Sequence, residues 1–290
     1  MDLRAILMGL AFVVMWSSAF TSARIIVAEA PPLSALALRF LISGLIGVAI
    51  ARALGQTWRL SRSQWRATIV FGICQNAIYL GLNFVAMQTV EASLAAIVAS
   101  TMPLLVALAG WAVFRERLSL LATTGLVAGA VGVCIIMGTR INAGVDLFGL
   151  ILTGLGVLGL TFATLAVRGT GGGKNLLMIV GLQMLVGATV LAPFALWLEV
   201  PRVTLTTPLV LAFIYTTLIP GLAATLVWFQ LVNRIGMVRA VTFHFLNPFF
   251  GVLIAALLLD EAVRAADLFG VTIIMLGILA VQISKVRPRD

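Results

Sequence analysis

Charged residues are scarce in this 290-residue chain. Asp, Glu, Lys and Arg make up only 10% of it, whereas 62% of the residues are hydrophobic. Soluble domains average about 25% charged and about 45–50% apolar residues. This composition excludes an ordinary water-soluble domain and predicts a protein that lies in a lipid bilayer.

Cysteine and histidine are also nearly absent. The two cysteines, Cys74 and Cys134, lie within apolar runs, and the single histidine is His244. The cysteines therefore suggest neither a disulfide framework nor a metal site. A single histidine excludes chemistry that needs several histidines. The glycine-rich segment Gly169–Asn175 resembles a phosphate-binding loop but lacks the motif's first glycine and its final Ser or Thr. We expect no catalytic residue, no metal, no cofactor and no enzymatic activity.

Ten apolar runs reach the length of about 20 residues that a helix needs to cross a bilayer. They lack the period-two alternation of membrane strands, so a β-barrel is excluded. The first run could pass for a signal peptide, but it continues to Val27 and has a repeat partner from Gly154. The predicted spans are approximately Ile6 to Ala23, Leu33 to Ala51, Ala67 to Val90, Ala92 to Phe114, Leu118 to Thr139, Leu147 to Val167, Asn175 to Leu198, Val203 to Asn233, Ala240 to Leu259 and Ala265 to Ser284.

The second half of the chain repeats the first. At an offset of 145 residues and without a gap, the matched pairs include Pro103 with Pro248, Glu116 with Glu261, Gly125 with Gly270 and Gly132 with Gly277. We therefore predict two domains, residues 1–144 and 145–290, of five helices each. Because five is odd, the second half enters the membrane upside down. Such inverted repeats are typical of secondary transporters.

The basic residues predict the orientation. Of nineteen Lys and Arg, fourteen fall in connections on one side of the predicted bundle and four on the other, with Arg39 inside a span. The positive-inside rule makes the first side cytoplasmic and places both termini there. Because the excess charge sits at span ends, the expected partner is the bilayer and not nucleic acid. We expect the inner membrane of a bacterium, and a monomer or weak homodimer.

Several short motifs carry a resemblance to a known family. They are Gly9 and Trp16 in the first span, Leu38-Arg39-Phe40 in the second, and the Pro-x12-Glu pairs Pro103/Glu116 and Pro248/Glu261. With the ten-span duplication, the chain resembles the EamA-type carriers of the drug/metabolite transporter superfamily, over nearly its whole length. The resemblance implies export of small metabolites, amino acids among them, with the YddG branch of aromatic amino acid exporters as the nearest. The first span lacks the glutamate of the four-span multidrug exporters, so their proton-antiport mechanism is not implied.

Four polar residues mark the third span: Gln75, Asn76, Tyr79 and Asn83. Helical spacing confines them to one stripe of roughly 100°. They either line a cavity for a polar substrate or hydrogen-bond neighbouring helices together. We favour the cavity and keep helix packing as the alternative.

The two repeat-related prolines break their spans in the middle. Pro248 follows His244 and Asn247, and Pro103 follows Ser100. A proline leaves the carbonyl four residues earlier without its donor, so we predict that Pro248 frees the His244 carbonyl. We interpret the pair as hinges beside a site that includes Ser100, His244 and Asn247. Simple kinks that shape the bundle are the alternative.

Two further side chains are candidates for a substrate cavity. Arg39 is the one charge well inside a predicted span, and it either faces a pathway or snorkels to the interface. Trp16 lies too deep for an interfacial belt and needs a partner for its indole N–H. A cavity would supply one, and packing against lipid is the alternative.

The sequence therefore predicts an all-α membrane protein with ten helices in two inverted five-helix repeats. Its predicted function is alternating-access export of a small-molecule substrate, an amino acid or a similar metabolite, by a secondary carrier. A multidrug exporter and a passive channel or structural helix bundle are the alternatives.

Overall fold

The fold is given by a computed structural model that describes residues 2–115, 117–166, 175–236, 240 and 242–286. This described part contains helices and turns and no strand. The α-helices are α1 (Leu3–Glu29), α2 (Pro32–Ala53), α3 (Arg62–Phe71), α4 (Leu80–Ala86), α5 (Ala92–Ser100), α6 (Met102–Phe114), α7 (Leu120–Asn142), α8 (Leu147–Ala166), α9 (Leu176–Leu198), α10 (Thr207–Leu218), α11 (Ala224–Ile235), α12 (Asn247–Leu259) and α13 (Ala265–Val286).

The predicted all-α membrane fold is confirmed. Within the described ranges, nine continuous helical stretches are long and apolar enough to cross a membrane. The predicted ninth span, Ala240 to Leu259, is represented there by a shorter apolar stretch, Phe243–Leu259. Glu116, which the repeat aligns with Glu261, lies outside the described residues, as does most of the glycine-rich segment.

The helices form two compact units, and each unit takes helices from both halves of the sequence. The first unit comprises Met1–Thr21, Val90–Leu150 and Ala223–Asp290. The second comprises Ser22–Thr89 and Ile151–Leu222. The compact units therefore differ from the two halves predicted as domains, because repeat-related helices pack against each other.

In the first unit, the last helices of the two repeats, α7 and α13, form a close antiparallel pair. A Cβ on Gly125 would lie 2.7 Å from the Gly277 carbonyl oxygen, and one on Gly132 would lie 2.8 Å from that of Gly270. The repeat matches Gly125 with Gly270 and Gly132 with Gly277. Gly125 therefore packs on the repeat partner of Gly132, and Gly132 packs on the repeat partner of Gly125. Two inverted copies of one helix that pack antiparallel produce this crossed pairing. The small glycine residues allow the two helices to approach closely.

The start of α5 is stabilised by a carboxylate from a distant part of the same unit. Glu261 accepts hydrogen bonds from the backbone N–H groups of Ala92 and Ser93, at 2.7 and 2.9 Å. These amides have no partner within the helix, and negative charge is favoured at a helix N-terminus. Glu261 therefore acts as a helix cap for α5.

The second unit repeats this arrangement with the second helix of each repeat. α2 and α9 run antiparallel: Gly44 packs on Leu185 and Gly181, whereas Leu33 at the start of α2 donates to Glu199, 2.7 Å away, at the end of α9. Glu199 also accepts from the Ser34 amide and hydroxyl, at 2.8 and 2.7 Å. A carboxylate thus caps α2 as Glu261 caps α5.

A π-helical segment interrupts the third span of each repeat. The first runs over Gly72–Tyr79 between α3 and α4, and the second over Ile219–Ala223 between α10 and α11. Moved back by 145 residues, the second falls inside the first. π-Bulges in α-helices occur frequently at functional sites. They also widen the turn, so Gln75, Asn76 and Tyr79 lie on wider turns than the ideal α-helical spacing from which their stripe was predicted.

Candidate functional site

In the first unit, three aromatic rings surround the only histidine. The ring centre of His244 lies 5.3 Å from that of Phe12, 6.3 Å from Trp16 and 5.2 Å from Trp228, and it meets each ring edge-on. Edge-to-face packing at these distances is favourable because the positive edge of one ring meets the negative face of another. We call His244 and these three rings the aromatic group.

Hydrogen bonds fix the orientation of the histidine ring. Asn247 Nδ2 lies 2.9 Å from His244 Nδ1. An amide nitrogen donates, so Nδ1 accepts and a neutral ring carries its proton on Nε2. Ser17, on α1, donates its hydroxyl to the Asn247 carbonyl at 3.2 Å. Trp16, His244 and Asn247, all predicted from the sequence, are therefore brought together.

Asn247 also has an unused acceptor. Its side-chain oxygen Oδ1 is buried and has no hydrogen-bond partner among the described residues. A buried polar atom without a partner is costly, and in native proteins it commonly marks a bound water, an ion or a functional role. The aromatic group thus has, at one edge, an amide oxygen that can accept from a ligand.

The two repeat-related prolines both stand at the second position of a new helical segment. Pro103 is in the first turn of α6, which follows α5 after Thr101. Pro248 is in the first turn of α12, after a 3-10 turn over Phe243–Leu246. Proline is tolerated there because first-turn amides have no helical partner. The His244 carbonyl accepts a hydrogen bond from the Asn247 backbone N–H, so the prediction that this carbonyl is free was wrong. The 3-10 turn supplies a donor three residues further along the chain, in place of the missing donor four residues further along.

Ser100 is the last residue of α5, directly before the break at Thr101. Its side chain is buried, and its hydroxyl donates to the Ala96 carbonyl of its own helix at 2.6 Å. The hydroxyl oxygen can still accept a hydrogen bond. Ser100 belongs to the first unit, like the aromatic group.

We expect Pro103→Ala and Pro248→Ala to slow transport without weakening substrate binding. Alanine at position 103 restores an amide that can donate to the Ala99 carbonyl and join α5 to α6. If these positions are hinges, turnover should fall by about fivefold to tenfold while the half-saturating concentration changes by less than about twofold. Initial rates in proteoliposomes measure both. The control is Pro208→Ala, at the same position of α10 but at a span end. Wild-type transport rates in both Pro103→Ala and Pro248→Ala would mean that the two prolines only bend the helices and do not act as hinges.

In the second unit, Arg39 is buried on α2, and no counter-ion for it is found among the described residues. Its side chain is 5% exposed, and its Nε atom has no hydrogen-bond partner among the described residues. Its guanidinium carbon lies 5.2 Å from the centre of the Phe40 ring. The only carboxylates of this unit are Glu29 and Glu199, and no ion pair to Arg39 is found in the described part. The packing encloses Arg39 and does not expose it as a snorkelling residue.

The polar residues of the third span also lie in the second unit. Asn76, Tyr79 and Asn83 are buried and Gln75 is half-buried. Asn76 donates to the Gln183 carbonyl on α9 at 2.8 Å and thereby joins two helices. Asn83 donates to the Tyr79 carbonyl at 2.8 Å, and its Oδ1 has no partner among the described residues. The stripe thus combines helix packing with one unused acceptor.

Comparison with known proteins places this arrangement in a family. The sequence model of the EamA-like transporter family matches the chain twice, over residues 3–138 and 147–283. The chain belongs to the EamA-like transporter family. It is a membrane transporter made of two copies of one family domain, which confirms the family resemblance seen in the sequence.

Two curated relatives span nearly the whole of this EamA-like chain. One is the "Uncharacterized transporter YvbV" of Bacillus subtilis (strain 168), 23% identical over 93% of this chain and 88% of its own length. The other is "Protein PecM" of Dickeya dadantii (strain 3937), 24% identical over 91% of this chain and 86% of its own. A solved crystal structure has a TM-score of 0.69 and 21% identity and covers 97% of this chain and 98% of that one. At that identity the likeness shows the fold alone.

The first unit of this EamA-like chain contains a buried ion cluster that was not predicted from the sequence. Arg140, at the end of α7, donates to both carboxylate oxygens of Asp267, at 3.3 and 2.8 Å, and also pairs with Glu91. The side chains of Arg140 and Asp267 are only 3% and 1% exposed. Both residues lie at span ends, where single charges usually face water, so their positions did not indicate burial. The repeat-matched glycines were the available signal, since they predict which helices pair.

Proposed function

We propose that the protein is a secondary carrier that exports amino acids or similar small organic metabolites across the inner membrane by alternating access. It would use two repeats, residues 1–144 and 145–290. The observation that carries this proposal is the interruption of helices at repeat-related positions, at the two prolines and at the two π segments. Transporters with inverted repeats bind substrate at such discontinuous helices.

The side chains near these interruptions support a small, partly apolar and partly polar substrate. The aromatic group offers apolar ring surface, and Asn247 offers an unused amide oxygen at its edge. The second unit carries its own set of polar side chains, Arg39, Gln75, Asn76, Tyr79 and Asn83. Pockets for small molecules combine a mostly apolar lining with a few placed polar groups. We propose these residues, with Trp16, Ser100 and His244, as substrate-binding candidates.

A thermal-stabilisation screen of the purified protein tests the substrate class. The panel is the twenty amino acids, a set of sugars and a set of cationic aromatic drugs. A ligand present at 100 times its Kd stabilises the folded state by about 2.7 kcal/mol, which is a readily measured shift. We expect at least one amino acid to stabilise the protein and to be taken up by proteoliposomes. Stabilisation by cationic drugs alone would favour the multidrug alternative, for which aromatic rings also suit cations.

We expect both termini to be cytoplasmic. The motivation is the distribution of fourteen basic residues in connections on one side and four on the other. Tags at either end should be protected in intact cells stripped of their outer membrane and accessible in inverted vesicles. A C-terminal tag accessible from outside the cell membrane would mean an odd number of spans and would contradict the inverted repeat.

We expect transport without coupling to protons. Embedded Asp, Glu or His residues usually carry the coupled proton. Here Asp267 is buried, but it is held by Arg140 near a span end, and His244 is hydrogen-bonded by an amide. Uptake into proteoliposomes should therefore reach the external concentration and go no further, with or without an imposed pH gradient. Accumulation that follows the gradient and disappears in His244→Gln would make this histidine the proton carrier.

A further inference from the structure

Arg39 carries a buried charge, and among the described residues no carboxylate forms an ion pair with it. The second unit contains two carboxylates, Glu29 at the end of α1 and Glu199, which caps the start of α2. Arg39 lies five residues further along α2 than Ser34, to which Glu199 is bonded. A buried arginine is unfavourable unless an anion or enough acceptors surround it. What is missing here is a negative group, and nothing among the described residues supplies it.

The second π segment forms the wall beside this guanidinium. A Cβ placed on Gly221 would lie 3.6 Å from Arg39 Nη2, 3.5 Å from Ser43 Oγ and 3.1 Å from the Thr216 carbonyl oxygen. The point that a Cβ of residue 221 would occupy is therefore faced by a donor, a hydroxyl and a carbonyl, all within 3.6 Å. A larger side chain there would press on the carbonyl.

Two acceptors at this point remain able to bind a ligand. Pro220 has no amide hydrogen to donate to the Thr216 carbonyl, four residues before it. A carbonyl oxygen has two lone pairs. Ser43 uses its hydroxyl hydrogen on the Thr217 carbonyl at 3.3 Å, so its oxygen is left to accept. The guanidinium of Arg39, which donates hydrogen bonds, and the two acceptor oxygens of Ser43 and Thr216 thus lie around one point beside the interrupted helix.

We propose that this point binds the zwitterionic head of an α-amino acid. Arg39 holds the carboxylate through charge-assisted hydrogen bonds. The Thr216 carbonyl and the Ser43 hydroxyl accept from the ammonium group, as unwound backbone does for cations in other transporters. This inference rests on the proposed function, and it names the part of the substrate that is recognised: both charges of the head, at Arg39 and at the second π segment.

The test compares each amino acid with two analogues that each lack one charge. The probes are the twenty amino acids, their α-amides and the matching desamino carboxylic acids, and the readout is the half-saturating concentration for uptake into proteoliposomes. The wild type should favour an amino acid over its α-amide by about 100-fold, and over the desamino acid by about tenfold. Wild-type uptake of acid and amide at similar concentrations overturns the inference and leaves the carrier function standing. Uptake of no amino acid overturns both.

Variants of Arg39 assign the preference to this residue. In Arg39→Gln the acid-to-amide ratio should fall to less than about fivefold, while the preference for the ammonium group persists. Arg39→Lys keeps the charge and should keep part of the ratio, whether or not the glutamine variant folds. Arg52→Gln, at the exposed end of the same helix, is the control for a lost positive charge and should behave as the wild type. An unchanged acid-to-amide ratio in a folded Arg39→Gln variant overturns the assignment.

Discussion

Arg140→Ala should destabilise the protein by about 3–5 kcal/mol, the usual cost of removing one partner of a buried ion pair. The substitution leaves the carboxylate of Asp267 buried, with its guanidinium partner gone. The cost comes chiefly from this unpaired charge and not from the lost attraction. Unfolding in mixed micelles by a denaturing detergent measures the free energy of unfolding.

A double variant separates the unpaired charge from the loss of packing. Arg140→Met with Asp267→Leu removes both buried charges, and it should recover most of the stability because apolar pairs often replace buried ion pairs without loss. The matched control is Arg202→Ala, an exposed arginine from the same predicted side of the membrane. If Arg140→Ala were as mild as this control, Arg140 would not be holding a buried charge.

Gly132→Ala and Gly138→Ala should change stability in opposite directions, although both lie on α7. A Cβ on Gly132 would lie 2.8 Å from the Gly270 carbonyl oxygen and 2.8 Å from Ile274 Cγ1, whereas one on Gly138 would meet nothing within 4 Å. Gly132→Ala must push α13 away and should lower the free energy of unfolding by about 1–3 kcal/mol. Gly138→Ala should raise the free energy of unfolding by about 0.5–1 kcal/mol, because alanine is a better helix former than glycine.

The same unfolding assay tests this pair. Equal effects of the two substitutions would contradict the close glycine packing between α7 and α13. Gly270→Ala, on the facing helix, should be as harmful as Gly132→Ala, because its Cβ would lie 2.4 Å from Ile136 Cγ1. A stabilising effect there would count equally against the pairing.

The sequence predicted the fold well because bilayer physics leaves few choices. Long apolar runs in lipid must be helices, and the match of Pro103 with Pro248 and of Gly125 with Gly270 revealed the duplication. The parity of five spans then required inversion. The antiparallel pairing of α7 with α13, and of α2 with α9, has the same origin. The predicted boundary between residues 144 and 145 remains a prediction, since packing groups the helices across it.

Parts of the candidate site could not be predicted, for identifiable reasons. The π segments over Gly72–Tyr79 and Ile219–Ala223 each add one residue to a turn, and helical spacing in a single sequence does not show where such a residue is added. Phe12 and Trp228 join His244 through tertiary packing, which single-sequence spacing does not encode. By contrast, the functional interest of Arg39, His244 and Asn247 followed from polarity within apolar runs.

Counterflow in proteoliposomes tests the central claim, that this protein is an alternating-access carrier. Vesicles are loaded with a high concentration of an unlabelled amino acid from the screen and diluted into a trace of the labelled form, with no ion gradient. A carrier that releases unlabelled substrate outside the vesicle returns inward with labelled substrate bound. The label inside the vesicles should therefore rise transiently above its equilibrium level. The initial rate of uptake should also saturate with substrate concentration. Label that rises only to equilibrium, at a rate that stays linear in concentration, would contradict the account and identify a channel.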